Sequence, residues 1–162
     1  FGKGLKGPAG YLIRDWELSS IITFQSGTPF TPSISADTAN VGATLRRPDR
    51  IASGLVSDRS LQRYFDVSAF RVPTGFNYGN SGRNILYGPG LKNLDAMVMR
   101  NFRFNLPWRE QSNLQFRAEF FNIMNHPVFN APGANIDQGS GGQVSSTLNS
   151  NRIIEFALKF FF

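Results

Sequence analysis

The chain has 162 residues, a length that suits one domain, and a formal net charge of +6 with only 17% charged residues. It has no cysteine, which excludes a disulfide framework and any cysteine-ligated zinc or iron–sulfur centre. Its 16 phenylalanines, in a chain of mean hydropathy -0.22, fit strands that are apolar on one face and wet on the other.

The chain opens at Phe1 with no charged segment leading into an apolar run, so no signal peptide is read there. Either a signal was removed or the N-terminal part of a longer chain is missing, and the second is the expectation preferred. No apolar run approaches the roughly 20 residues of a transmembrane helix. Two options follow: a soluble chain, or one that spans a membrane as strands, because only helices and closed barrels satisfy their backbone in lipid.

The first predicted strand covers residues 16–30. Trp16, Leu18, Ser20, Ile22 and Phe24 share one face, against Glu17, Ser19, Ile21, Thr23 and Gln25. A long segment follows, from about Thr31 to Gly90, rich in Gly, Pro, Asn and Ser and expected to be loop. Ser60–Phe65 within it is read as one helical turn. Arg46, Arg47, Arg50, Arg59, Arg63, Arg71, Arg83 and Lys92 cluster in or beside this segment, interleaved with Asp37, Asp49, Asp58 and Asp66. Such a loop either meets an anionic surface such as lipopolysaccharide or is simply solvated, and the second reading is preferred. No nucleic-acid-binding motif accompanies the charge.

The second strand, residues 91–105, puts Leu94, Ala96, Val98, Phe102 and Phe104 on one face and Asp95, Met97, Met99, Asn101 and Arg103 on the other. Arg100 interrupts the apolar face. That is costly at a bilayer midplane, by about 2–4 kcal/mol, so it is expected near a rim or shifted by a bulge. A short turn around Leu106–Glu110 leads to the third strand, residues 112–124, with Leu114, Phe116, Ala118 and Phe120 opposed by Gln115, Arg117 and Glu119. A second long loop runs from about His126 to Asn149. The fourth strand, residues 151–162, sets Ile154, Phe156, Leu158, Phe160 and Phe162 against Glu155, Ala157 and Lys159.

These runs are near the roughly 9–11 residues that a tilted strand needs to cross a bilayer, and longer than the usual 5–6. Long loops count against a compact soluble domain. Short turns at one end and long loops at the other are the habit of outer-membrane barrels. Tyr11, Trp16, Trp108, Phe160 and Phe162 then fall near one rim, as an aromatic girdle. The fold class expected is all-β: antiparallel up-and-down strands in sequential order, forming an open curved sheet.

The end of the chain, Arg152–Phe162, resembles the C-terminal signature of outer-membrane proteins, a terminal Phe preceded by apolar residues at every second position. Three further stretches, Trp16–Phe30, Gly82–Gly90 and Leu114–Pro127, resemble the C-terminal barrel region of TonB-dependent receptors of the Oar-like kind. The resemblance implies that residues 1–162 are the C-terminal part of such a barrel, with plug, TonB box and N-terminal strands absent. It implies a place in the Gram-negative outer membrane and import of a bulky nutrient, siderophore-like or carbohydrate-like. The implied partners are outer-membrane lipid and lipopolysaccharide, the barrel-assembly machinery and the TonB complex. Ile154, Phe156, Leu158, Phe160 and Phe162 would carry the assembly signal.

Asp95, Arg103, Arg117, Glu119, Glu155 and Lys159 lie on the polar face, as candidates for a lumen lining. A ladder of cross-strand ion pairs is the preferred account of them. No catalytic or metal site and no cofactor is expected. His126, the one histidine, stands beside Pro127 at a loop entry and reads as structural. Two other classes compete with a transporter: a soluble all-β carbohydrate-binding or adhesion module, and a passive outer-membrane barrel.

Overall fold

The computed structural model describes residues 7, 10, 13–42, 46–149 and 151–162. Tyr11, one of the expected girdle residues, lies outside them. The described residues divide into two compact units, one of strands and one of long connections.

The first unit is a four-stranded sheet. Its strands are β1 (Trp16–Gln25), β6 (Leu91–Leu106), β7 (Arg109–Phe121) and β8 (Ile153–Phe161), in the order β1-β6-β7-β8. The pairs β6–β7 and β7–β8 are antiparallel. The long strands thus neighbour one another in chain order, as the alternation implies. Their period-two pattern fixes the register, because a slip of one residue would exchange the two faces. The sheet does not close: β1 and β8 each have one neighbour.

A helical turn precedes the sheet, with the Arg14 amide donating to the Gly10 carbonyl at 3.0 Å. Asp15, at φ 65°, ends that turn and lets the chain enter β1. β6 and β7 are joined by a turn at Pro107–Trp108. A bulge sits beside the turn, where the register shifts between Phe104 and Leu106.

The second unit, residues 25–91 and 127–149, departs from the expected structureless loops. It contains two short antiparallel ladders: β2 (Pro29–Phe30) with β5 (Leu86–Tyr87), and β3 (Asp49–Arg50) with β4 (Phe70–Arg71). Phe65, Ala69, Phe70 and Leu86 form a buried cluster, with Phe30, Val67, Ile85 and Ile136 packed against it. The Phe65 ring centroid lies 5.6 Å from that of Phe30 and 6.0 Å from that of Phe70. Full burial of a side chain such as Phe65, Phe70 or Leu86 contributes roughly 1.5–3 kcal/mol, which helps to order segments that have no periodicity of their own.

Backbone bonds stitch the two long connections together. The Ser33 amide donates to Ala134 and the Ile136 amide to Ser33; the Tyr64 amide donates to Gly142 and the Val144 amide to Leu61. The Asp137 carboxylate receives the amides of Ser35 and Ala36.

The helical turn expected at Ser60–Phe65 does not form. The chain bends there, and a single 3-10 turn follows at Val67–Ala69, capped by Asp66, whose carboxylate accepts from the Ser68 amide. Phe65 is drawn into the cluster instead, and Asp66 caps the short turn that follows.

Candidate functional site

The two faces of the four-stranded sheet are the feature that the sequence singles out. On the apolar face the register aligns Ala96, Phe120 and Ile154 in one row. The next rows are Val98, Ala118 and Phe156, then Arg100, Phe116 and Leu158, then Phe102, Leu114 and Phe160. Ring contacts run between strands: Trp16 meets Phe116 edge-on at 6.3 Å, and Phe116 and Phe156 stack at 6.3 Å. Phe104 and Phe160 stack at 6.1 Å, and Phe160 and Phe162 at 5.6 Å. The expected assembly stripe of Ile154, Phe156, Leu158, Phe160 and Phe162 is exposed along one side of the edge strand.

Arg100 stays on this face, with no bulge at its position, since the register runs unbroken from Ala96 to Phe104. It is 4% exposed. Its guanidinium carbon lies 4.4 Å from the Phe102 ring centroid and 5.5 Å from that of Trp16. Of the rim position and the bulge that the sequence offered, the unbroken register removes the bulge; the cation lies against rings, whose negative faces compensate the charge. Trp16 is therefore level with Arg100, while Trp108 stands in the turn beyond Leu106. The expected girdle is spread over several rows rather than set at one height.

The opposite face is polar. Its rows are Met97, Glu119 and Glu155; Met99, Arg117 and Ala157; Asn101, Gln115 and Lys159; then Arg103, Asn113 and Phe161. Asp95 lies beyond the first row, towards the long connections, and accepts from the Asn93 side chain at 2.9 Å and the Asn122 amide at 2.8 Å. The six candidates thus share one face, and their charges are ordered along it. Asp95, Glu119 and Glu155 stand at the long-connection end, and Arg117, Lys159 and Arg103 follow towards the short turn.

The ladder of cross-strand ion pairs does not form among the described residues. The ion pair on this face, Arg117 to Glu119 at 2.6 Å, runs along a single strand. Glu119 instead faces Glu155 across the β7–β8 pair. Cross-strand bonds on this face come from amides: Asn113 and Gln115 both donate to the Asn101 side-chain oxygen, at 3.0 and 3.1 Å. The alternation reveals which residues share the face. The axial ordering of charge needs the register between strands, which no single-strand pattern contains.

His126 is held through its main chain, its amide donating to the Asn122 side chain and its carbonyl accepting from it. Among the described residues no cluster of His, Asp and Glu suits a metal ion. No helix among them is long and apolar enough to cross a membrane, which says nothing of strands.

Several basic residues of the second unit are engaged locally. Arg46 pairs with Asp37 at 3.5 Å and donates to the Ser35 carbonyl. Arg47 donates to Ser81, and Arg50 to the carbonyls of Ala52 and Ser53. Asp37 also receives the amides of Gly42 and Val41, and the Gly42 bond above all holds its carboxyl below the ordinary value of 3.8.

A family model described as outer membrane beta barrel domain matches residues 1–155. No curated protein and no solved structure matches the chain.

Proposed function

This chain belongs to the outer membrane beta barrel domain family, and on that premise we propose that it is the C-terminal part of a TonB-dependent receptor barrel that imports a bulky nutrient. Its place is the cell outer membrane, in lipid and lipopolysaccharide, which sets aside the soluble-module reading.

The observation that carries the proposal is the open sheet. It has four long strands, one face mainly apolar but for Arg100 and the other mainly polar, and a free edge on either side. The smallest barrels have about eight strands, so closure calls for further strands, as in the large barrels that the resemblance implies. In such a barrel the face of Val98, Phe116, Phe156 and Leu158 meets lipid, and the face of Asp95, Arg103, Arg117, Glu119, Glu155 and Lys159 lines the lumen. The reverse arrangement would put six charges in hydrocarbon, each at a cost of kilocalories. The long connections then face the cell exterior and the Pro107–Trp108 turn the periplasm. Strand β8, with its apolar stripe ending in Phe162, is the segment offered to the barrel-assembly machinery as a sheet edge. Energy coupling would reach the barrel through a plug and the TonB complex. The role is transport and not catalysis.

The test uses the intact protein. Purified in detergent, it should retain the periplasmic domain of TonB on a column. Cells expressing it should lose uptake of its nutrient when the proton-motive force is collapsed. No TonB retention, together with solute entry that ignores the proton-motive force, would leave a passive barrel in its place.

A further inference from the structure

The segment Thr74–Gly82 is anchored at many points, yet it presents two aromatic side chains to solvent. Phe76 is 84% exposed and Tyr78 73%. Gly75, at φ 71°, turns the chain outward, and the Asn77 side chain donates back to the Thr74 carbonyl at 3.0 Å. Thr38 donates to the Asn77 carbonyl at 2.9 Å. The Asn80 amide donates to Asp49 at 3.0 Å, and its side-chain oxygen accepts the Arg50 amide at 2.7 Å. The Ser81 amide donates to Pro48, and the Ser81 carbonyl accepts from Arg47. Gly79 lies so flush on this base that a Cβ there would come within 2.0 Å of the Arg47 carbonyl oxygen. The backbone between the two rings and their base is thus fixed before anything binds.

Beside Tyr78 is a cavity of about 180 Å³ lined by Asp37, Thr38, Arg46, Arg47 and Gly79 among others. It is smaller than the roughly 300–1,000 Å³ that holds a drug-sized ligand, and fits one ring-sized group. One of its lining residues, Arg46, has its Nε buried without a hydrogen-bond partner, which is unfavourable for a donor shielded from water.

The geometry points to a glycan-binding site on the long-connection unit. The exposed rings of Phe76 and Tyr78 take the apolar C–H faces of sugar residues, and the polar cavity takes the hydroxyls or carboxylate of one of them. The pieces match that chemistry. A rigid aromatic side chain supplies contact area at low entropy cost, and a pre-fixed loop avoids the ordering cost of binding. A sugar offers an apolar face and a polar rim in the same residue. A protein partner fits less well, because a specific interface buries about 1,600 Å² in total, while these two rings rise from Gly, Asn and Thr. The site rests on the outward placement of the long connections and not on energised import. A protein that binds glycan but imports nothing would leave it standing.

The experiment immobilises the intact protein in outer-membrane vesicles. Retention of short oligosaccharides of glucose, mannose, xylose and galacturonic acid is then measured, with delipidated lipopolysaccharide core as a further arm. Wild type should retain at least one of them. The double variant Phe76→Ala, Tyr78→Ala should retain it at least tenfold more weakly while keeping the heat-modifiable gel shift of a folded barrel. Tyr87→Ala, which removes another exposed ring of the same unit, should bind as wild type does. Retention of the core alone would identify the ligand as surface lipopolysaccharide and uphold the site. Retention of none of the probes, equal retention by the double variant, or an equal loss in Tyr87→Ala would each overturn it.

Discussion

Arg100 and Trp16 form a cation–ring pair on the apolar face of the sheet, 5.5 Å from guanidinium carbon to ring centroid. If this contact offsets the burial of the charge, the two residues are energetically coupled. Trp16→Ala should destabilise the folded protein more with Arg100 present than in an Arg100→Leu background. The coupling should be about 0.5–2 kcal/mol, the range for a cation over a ring between exposed and desolvated settings. Urea unfolding of the four variants in lipid vesicles reads it. Additive effects would mean that Arg100 is compensated elsewhere.

Glu119 and Glu155 face each other between β7 and β8. Like charges directly opposite are unfavourable, and opposite charges there contribute about 0.2–1 kcal/mol. Glu155→Lys should therefore raise the urea midpoint slightly, with a gain that shrinks in high salt. A loss of stability in this variant would mean that a cation from another part of the lumen already sits between the two carboxylates.

Much of the sheet is legible in the sequence, because one physical rule governs it. A half-buried strand repeats every two residues, and Leu114 to Phe120 or Ile154 to Phe160 keep that repeat without error. The long connections obey no such rule. Phe30 and Leu86 are partners across more than fifty residues of sequence, and their pairing follows from the cluster around Phe65, not from local preference. Phe76 and Tyr78 are visible as aromatics, but their exposure depends on contacts with Thr38, Asp49 and Arg50, far away in the chain. Arg100 breaks the period-two pattern, and the rings that cover it come from another strand and from its own, which the pattern of one strand does not contain.

Asp37 gives the second unit a dependence on acid. Its folded-state carboxyl lies below the ordinary 3.8, mainly through the Gly42 amide. The stability it lends is therefore complete above about that value and lost as pH falls through the lower folded-state one. Exchange of the Val41 and Gly42 amides, which donate to Asp37, should rise steeply only below that window. Asp37→Asn should flatten the rise and loosen the segment at neutral pH. A wild-type profile in Asp37→Asn would remove the carboxylate from the account.

Phe162 ends the exposed stripe of β8, and its ring stacks on Phe160 at 5.6 Å. Deleting it from the full-length protein should lower the amount that reaches the outer membrane more than it lowers the denaturant resistance of what arrives. Quantified membrane fractions and urea midpoints separate the two effects. Normal insertion with a large loss of stability would make Phe162 a packing residue only.

The central claim is that one face of this sheet meets lipid and the other meets water, and the absence of cysteine from this chain makes it directly testable. Single cysteines placed in turn at residues 154 to 159 of the membrane-inserted protein would be exposed to a water-soluble maleimide. The account expects labelling at Glu155, Ala157 and Lys159 and protection at Ile154, Phe156 and Leu158, with a lipid-phase quencher giving the opposite alternation for a fluorophore at the same sites. Labelling without a period of two, or with the two sets exchanged, would contradict it.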